Sequence, residues 1–344
     1  MVAKIRIFKL TRDNWLPLVL KVLAVILLMS YAAQLYVRYA IDFAQVFPDS
    51  EQVAMVMLRW LTVPVVGMGI VMPFFKSKSL RLLFPIYALV IGILNLVFFN
   101  QNMIAWAGDA YQYTSADGYA YVPGRVAFFI IEQIVLIIMA LAYVYIDIKD
   151  KEYKGIKPLW MVLVLAGFII AFMNPYVLQD LNLILTFTKS TQTATGFSVS
   201  HIIYLLLNFV ILILIYVLMR KKDQKSIQLL LVTMALSACF SYFYVNCYTA
   251  AGFDFNTIPL HLCNAAVVLL FFTYAFKLEG LFYFTLFVNV LGTIFAMLMP
   301  NTGEFDYWFT YNTVRFWYNH IYAFVLPILG IILHVFKRPT IKPM

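Results

Sequence analysis

The chain has 344 residues, of which 64% are hydrophobic and only 12% charged, with a mean hydropathy of +0.87. A soluble domain has about half its residues apolar and about a quarter charged, so this composition excludes a water-soluble fold and requires a polytopic membrane protein. The formal net charge of +9 does not point to nucleic acid, because the basic residues form short clusters between apolar runs, as membrane topology demands.

Ten apolar runs follow, each close to the ~20 residues that cross a hydrocarbon core. They lie at about 15–38, 53–75, 79–105, 125–147, 158–178, 200–219, 228–248, 257–276, 280–300 and 315–336. The expected fold is all-α, a transmembrane helix bundle of about ten spans. The first run follows Lys4, Arg6, Lys9 and Arg12 and contains Ser30-Tyr31-Ala32, which resembles a signal peptide. Its length favours a retained anchor instead.

The connections alternate in charge. Lys76, Lys78 and Arg81 fill the second, Lys149, Lys151, Lys154 and Lys157 the fourth, and Arg220, Lys221, Lys222 and Lys225 the sixth. Lys277 lies in the eighth, and Lys337, Arg338 and Lys342 follow the last span. The other connections carry Asp42, Asp49, Glu51, Asp109, Asp117, Asp254, Glu304 and Asp306. The positive-inside rule then puts both termini in the cytoplasm and the regions 39–52, 106–124, 179–199, 249–256 and 301–314 outside.

The chain divides into an N-terminal membrane segment, 1–199, and a C-terminal one, 200–344. Spans two to four and eight to ten share an order of basic turn, return span, external aromatic loop and arginine-led span (Arg125, Arg315). A weak parallel internal repeat would produce this, and so would the general likeness of helical hairpins with basic turns.

Polar side chains inside the spans are the functional candidates. Glu132 in the fourth span is either a proton or cation site or a structural partner of Arg59 or Arg125, the second reading being favoured. Asn289 in the ninth span is expected to bond between helices. His201 and His334 are placed at the two membrane interfaces, and Trp308, Trp317, Tyr307, Tyr311 and Tyr318 are read as external interfacial anchors. Cys239, Cys247 and Cys263 are too few and too apolar in setting for a disulfide framework. No standard zinc spacing or nucleotide-binding motif is present, so no metal or cofactor is expected.

The strongest segment is Ile258-Pro259-Leu260-His261-Leu262-Cys263-Asn264, at the start of the eighth span. Cys263 lies six residues past Thr257, or about 9 Å deep, and His320 five residues past Arg315, about 8 Å deep. Both spans run inward, so thiol and imidazole share a level in the outer half of the membrane. A thiol beside an imidazole ionises readily, and the thiolate is a nucleophile able to take an acyl group. A packing cysteine and a helix-bonding histidine are the alternatives. His261, two positions from Cys263, falls on another face with Asn264.

This segment, the later Met299-Pro300-Asn301-Thr302, and Phe316-Trp317-Tyr318-Asn319-His320 resemble the YwaF-like family of bacterial integral membrane proteins. That family is similar to the eukaryotic transmembrane protein 164 acyltransferases, and the resemblance covers about 228–337. It implies a multi-pass protein of the bacterial cell membrane that transfers acyl chains between phospholipids without coenzyme A. Cys263 would be the nucleophile and His320 the general acid/base, with His261, Asn264, Asn319 and Arg315 supporting them or binding substrate. Membrane phospholipids are then the partners, with no nucleic acid. A transporter or channel is the alternative reading, and a non-catalytic membrane scaffold the third.

Overall fold

The computed structural model describes residues 15–36, 50–75, 77–98, 123–150, 158–185, 197–248, 262–299 and 311–338. Among the described residues the regular elements are helices: α1 (Trp15–Tyr36), α2 (Ser50–Val71), α3 (Lys78–Val97), α4 (Pro123–Asp150), α5 (Pro158–Leu185), α6 (Val199–Met219), α7 (Gln224–Tyr248), α8 (Leu262–Phe276), α9 (Glu279–Leu298) and α10 (Tyr311–Ile332). Each coincides with one of the ten expected spans. Six of them (α1, α3, α4, α6, α7 and α9) are long and apolar enough to cross a membrane. The other four contain apolar stretches of 10–17 residues, Leu61–Phe74, Met161–Phe172, Asn264–Phe276 and Phe316–Ile332. The chain is an all-α, multi-pass membrane protein. One boundary differs clearly: α5 continues to Leu185 rather than ending near 178, because the leucine-rich segment after Leu178 has no glycine or proline to stop it.

Local chemistry sets the helix ends. α7 starts behind Asp223, whose carboxylate accepts from the Lys225 and Ser226 amides, both at 3.0 Å, and from the Ser226 hydroxyl at 2.6 Å. α8 closes in a Schellman turn: Lys277 takes a left-handed conformation (φ 53°), and the Leu278 N–H reaches back to the Thr273 carbonyl at 3.1 Å. α10 ends the same way, with exposed His334 at φ 58° and the Val335 N–H on the Gly330 carbonyl at 3.0 Å. The expected terminal placing of His334 fits this position.

One hydrophobic core runs from Leu20 in α1 to Phe336 beyond α10. α7 lies at its middle, packing on α1, α2 and α5 as well as α8 and α10. Phe240 of α7 stacks on Tyr31 of α1 (centroids 4.2 Å) and meets Phe172 of α5 edge-on (5.2 Å). The α2–α5 contact is so close that a Cβ on Gly67 would lie 2.7 Å from the Phe172 ring. α6 sits at the periphery against α10 and presents Ile202, Leu206, Val210, Ile213 and Val217 outward, as a lipid-facing span does.

Candidate functional site: the seam of α8, α9 and α10

Four consecutive side chains of α10 point in four directions, about 100° apart, and fix how this helix is turned. Trp317 is 1% exposed and stacks on Tyr204 of α6 at 5.1 Å with the rings 5° from parallel. Tyr318 donates its hydroxyl to Ser237 of α7 at 2.5 Å, and Ser237 donates in turn to the Ala171 carbonyl of α5. Trp317 and Tyr318 are therefore interior residues rather than the interfacial anchors expected. Their aromatic rings are held by neighbouring helices, which sequence alone could not supply. Tyr307, Trp308 and the Tyr311 side chain lie outside the described residues.

Asn319 and His320 complete the turn. The His320 ring packs on Phe316 (centroids 4.0 Å), and its Nδ1 lies 2.7 Å from the Phe316 carbonyl. A carbonyl only accepts, so Nδ1 carries the proton and Nε2 keeps a free lone pair. Asn319 has a buried Oδ1 with no hydrogen-bond partner among the described residues.

The face of α10 toward α8 is read from Asn319, Ala323, Leu326 and Gly330, spaced 4, 3 and 4 residues apart. Ala323 shares a buried cluster with Val267 of α8 and Ala238 of α7. Deeper, the Tyr274 hydroxyl of α8 donates to the Leu326 carbonyl at 2.6 Å. Gly330 passes so near that a Cβ there would lie 2.5 Å from the Tyr274 oxygen. The matching face of α8 is read from Val267 and Tyr274. Both helices run the same way. One turn outward from Val267 and Ala323, backbone position 263 of α8 and positions 319 and 320 of α10 thus stand at about the same level.

The third wall is α9, antiparallel to both and packed on both. Its buried stripe is Phe282, Thr285, Asn289 and Thr293. Phe282 meets Tyr274 at 6.2 Å and stacks on Phe336 at 4.0 Å, so this stripe faces the seam between α8 and α10. Thr285 and Thr293 donate to their own helix, to the Phe282 carbonyl at 2.9 Å and the Asn289 carbonyl at 2.5 Å. Asn289 is 0% exposed, and neither Nδ2 nor Oδ1 has a partner among the described residues. The interhelical bond expected for Asn289 is therefore not made; by helix register, the α8 and α10 positions at its level are the apolar Val267 and Ala323.

His201 lies in the first turn of α6, at the end of the span as expected, and is enclosed there, 4% exposed. Its Nδ1 accepts from the Phe197 amide at 2.7 Å, and its Nε2 donates to the Met297 carbonyl at 2.6 Å. Met297 is in the last turn of α9, where carbonyls lack an intrahelical donor, so His201 caps α9 from α6. It also lies against Trp317 (centroids 5.6 Å). This sets a common level for α9 and α10: Thr293 is about 6 Å inward of Met297, and His320 about 4.5 Å inward of Trp317.

Of the residues singled out from sequence, His320, Asn319 and Asn264 are described, Asn264 half-buried in the first turn of α8. His261 and the side chains of Cys263, Cys247 and Arg315 lie outside the described residues. Cys239 is fully buried in the core, a packing residue.

A second polar cluster joins α2, α3 and α4. Asn95 donates through Nδ2 to Thr62 Oγ1 (2.9 Å) and to Gln133 Oε1 (3.1 Å), and Gln133 Nε2 donates to Glu132 Oε1 (2.9 Å). Each of the four is at most 1% exposed. The expected partners Arg59 and Arg125 have side chains outside the described residues. Sequence reading found Glu132 but passed over Thr62, Asn95 and Gln133, whose signal was a polar side chain in an apolar run.

The fold and this seam define a multi-pass helical membrane protein with a polar interior in its C-terminal half. Residues 196–344, which include α6 to α10, match the TMEM164 family. The likeness to the eukaryotic transmembrane protein 164 proteins thus extends over the whole C-terminal part, further than the 228–337 read from motifs. No curated protein and no solved structure matches the chain.

Proposed function

We propose that the chain is a phospholipid acyltransferase of the bacterial cell membrane that works through a Cys263 thioester, without coenzyme A. The observation that supports this reading is the common level of position 263 of α8 and positions 319 and 320 of α10, set by Val267 with Ala323 and by Tyr274 with Leu326. The Nδ1 bond of His320 adds to it by leaving Nε2 as the basic nitrogen. In the proposed reaction, His320 Nε2 takes the proton of the Cys263 thiol, and the thiolate attacks an ester carbonyl of the donor lipid. The tetrahedral intermediate collapses, the C–O bond breaks, and the leaving alkoxide takes the proton back from Nε2. An acceptor hydroxyl then gives its proton to Nε2 and attacks the thioester carbonyl, releasing the thiolate, which is reprotonated. The alternating charge of the connections puts this chemistry in the outer leaflet, with both termini cytoplasmic.

The test is covalent labelling of the protein in membranes with a lipid-like thiol-reactive probe. Labelling is expected at Cys263, abolished in Cys263→Ser and reduced about tenfold or more in His320→Ala, within the usual range for a lost general base. Equal labelling of the His320 variant would rule out the pair.

A second reading, a transporter or channel, is favoured by the Glu132 cluster, since membrane-embedded carboxylates commonly mark ion or solute paths. It predicts solute or ion flux in proteoliposomes that survives Cys263→Ala.

A further inference from the structure

The Asn289 amide is the least explained group in the seam. A buried amide with neither atom paired is costly, and the cost is greatest where lipid surrounds the bundle and bulk water is distant. In the stripes of α8, α9 and α10 the hydroxyls of Thr285 and Thr293 are spent on their own backbone. Asn289 Nδ2 is then the uncommitted donor of the α9 stripe, and Asn289 Oδ1 and Asn319 Oδ1 are uncommitted acceptors. No charged side chain is among the described residues of these stripes.

Asn289 lies one turn, or about 6 Å, inward of Thr293. Its side chain leans toward the N-terminus of α9, further inward, because Cβ atoms tilt that way along a helix. The amide is therefore below the level of Cys263 and His320, too deep to stabilise charge at a carbonyl attacked there. What fits a neutral donor and acceptor at this depth is an uncharged oxygen, not a phosphate. Resting on the acyl-transfer reading of the seam, we propose that Asn289 binds the glycerol-ester region of a lipid. Its Nδ2 donates to an ester carbonyl, its Oδ1 accepts from a free hydroxyl, and the charged headgroup stays outside the seam.

The test uses the full chain purified in detergent, in a Cys263→Ser background, so that it does not depend on the thiol chemistry. Thermal-shift titrations are run with dioleoylglycerol, which has esters and a hydroxyl but no headgroup, and with hexadecylphosphocholine, which has a headgroup but neither. Dioleoylglycerol is expected to raise the melting temperature. Asn289→Leu should weaken its apparent affinity about fivefold, as for one lost hydrogen bond, with Asn289→Gln recovering part of the loss. Without ligand, Asn289→Leu should melt at or above the parent temperature, since an unpaired amide is replaced by an apolar group of similar size. Hexadecylphosphocholine should bind both proteins equally. The proposal is overturned if dioleoylglycerol does not bind, or if it binds the Asn289→Leu protein as tightly as its parent, which would mark a merely hydrated amide. Should that variant fail to fold, Asn289→Ala is read by the same criterion. If acyl transfer itself were disproved by labelling, this titration would still stand or fall alone.

Discussion

The imidazoles of His201 and His320 hold opposite tautomers on neighbouring helices: His201 donates from Nε2 to Met297, and His320 donates from Nδ1 to Phe316. Each assignment follows from the partner, since a carbonyl cannot donate and the Phe197 amide, which meets His201 Nδ1, cannot accept. The chain has only four histidines, so ring-nitrogen NMR of histidine-labelled protein, assigned by single substitutions, resolves both. We expect a protonated Nε2 for His201 and a protonated Nδ1 for His320 at neutral pH. The same tautomer at both positions would contradict the geometry and remove the free Nε2 that the proposed chemistry requires.

His201 should also matter for stability. Replacing it with leucine keeps much of the volume but leaves the Phe197 amide and the last-turn Met297 carbonyl unserved. The expected cost is about 1–3 kcal/mol, seen as a lower melting temperature and as faster hydrogen exchange of amides around 197–202. Exchange unchanged in that segment would mean that α6 is held by its aromatic contacts with α10 alone.

How much of this was legible in the sequence differs between the two levels. Hydropathy and charge alternation located the ten helices of the described residues because the bilayer imposes a length and a sign that any single sequence must obey. Burial within the bundle was not legible. Trp317 and His201 look like interfacial residues by type and position, yet Tyr204 and Met297, on other helices, draw them inside. Asn289 shows the converse, since a polar residue in a span suggests a partner and its facing positions are Val267 and Ala323. For the candidate site, motif spacing singled out His320 and Asn319, but the tautomer, the packing faces and the α9 wall depend on helix phase between three elements.

Tyr274 and Gly330 bring α8 and α10 together beneath the seam. A methyl group on Gly330 would meet both the Tyr274 oxygen at 2.5 Å and the Phe282 ring at 2.9 Å. Gly330→Ala is expected to cost about 1–3 kcal/mol by overpacking. Tyr274→Phe, which only removes the bond to the Leu326 carbonyl, should cost about 0.5–1.5 kcal/mol. Reversible unfolding in mixed micelles gives both values. If the tyrosine ring moves aside at little cost, the Gly330→Ala penalty falls to that of the lost hydrogen bond, and the double variant equals either single one.

The cluster of Thr62, Asn95, Gln133 and Glu132 should behave as one unit. Gln133 links the Asn95 amide to the Glu132 carboxylate, so Gln133→Leu takes one acceptor from Asn95 Nδ2, which keeps Thr62, and one donor from Glu132 Oε1. A loss of about 2–4 kcal/mol is expected, larger than for an isolated neutral hydrogen bond because a carboxylate loses a donor within a buried network. Asn95→Leu alone should cost less, about 1–3 kcal/mol, since only the neutral oxygens of Thr62 and Gln133 lose a partner. Combining the two removes donor and acceptor together, so the double variant should lose at least 0.5 kcal/mol less than the sum of the singles. Strict additivity would mean that α2, α3 and α4 are joined by independent bonds. The chain of hydrogen bonds from Thr62 to Glu132 would then have no collective role in holding the N-terminal half.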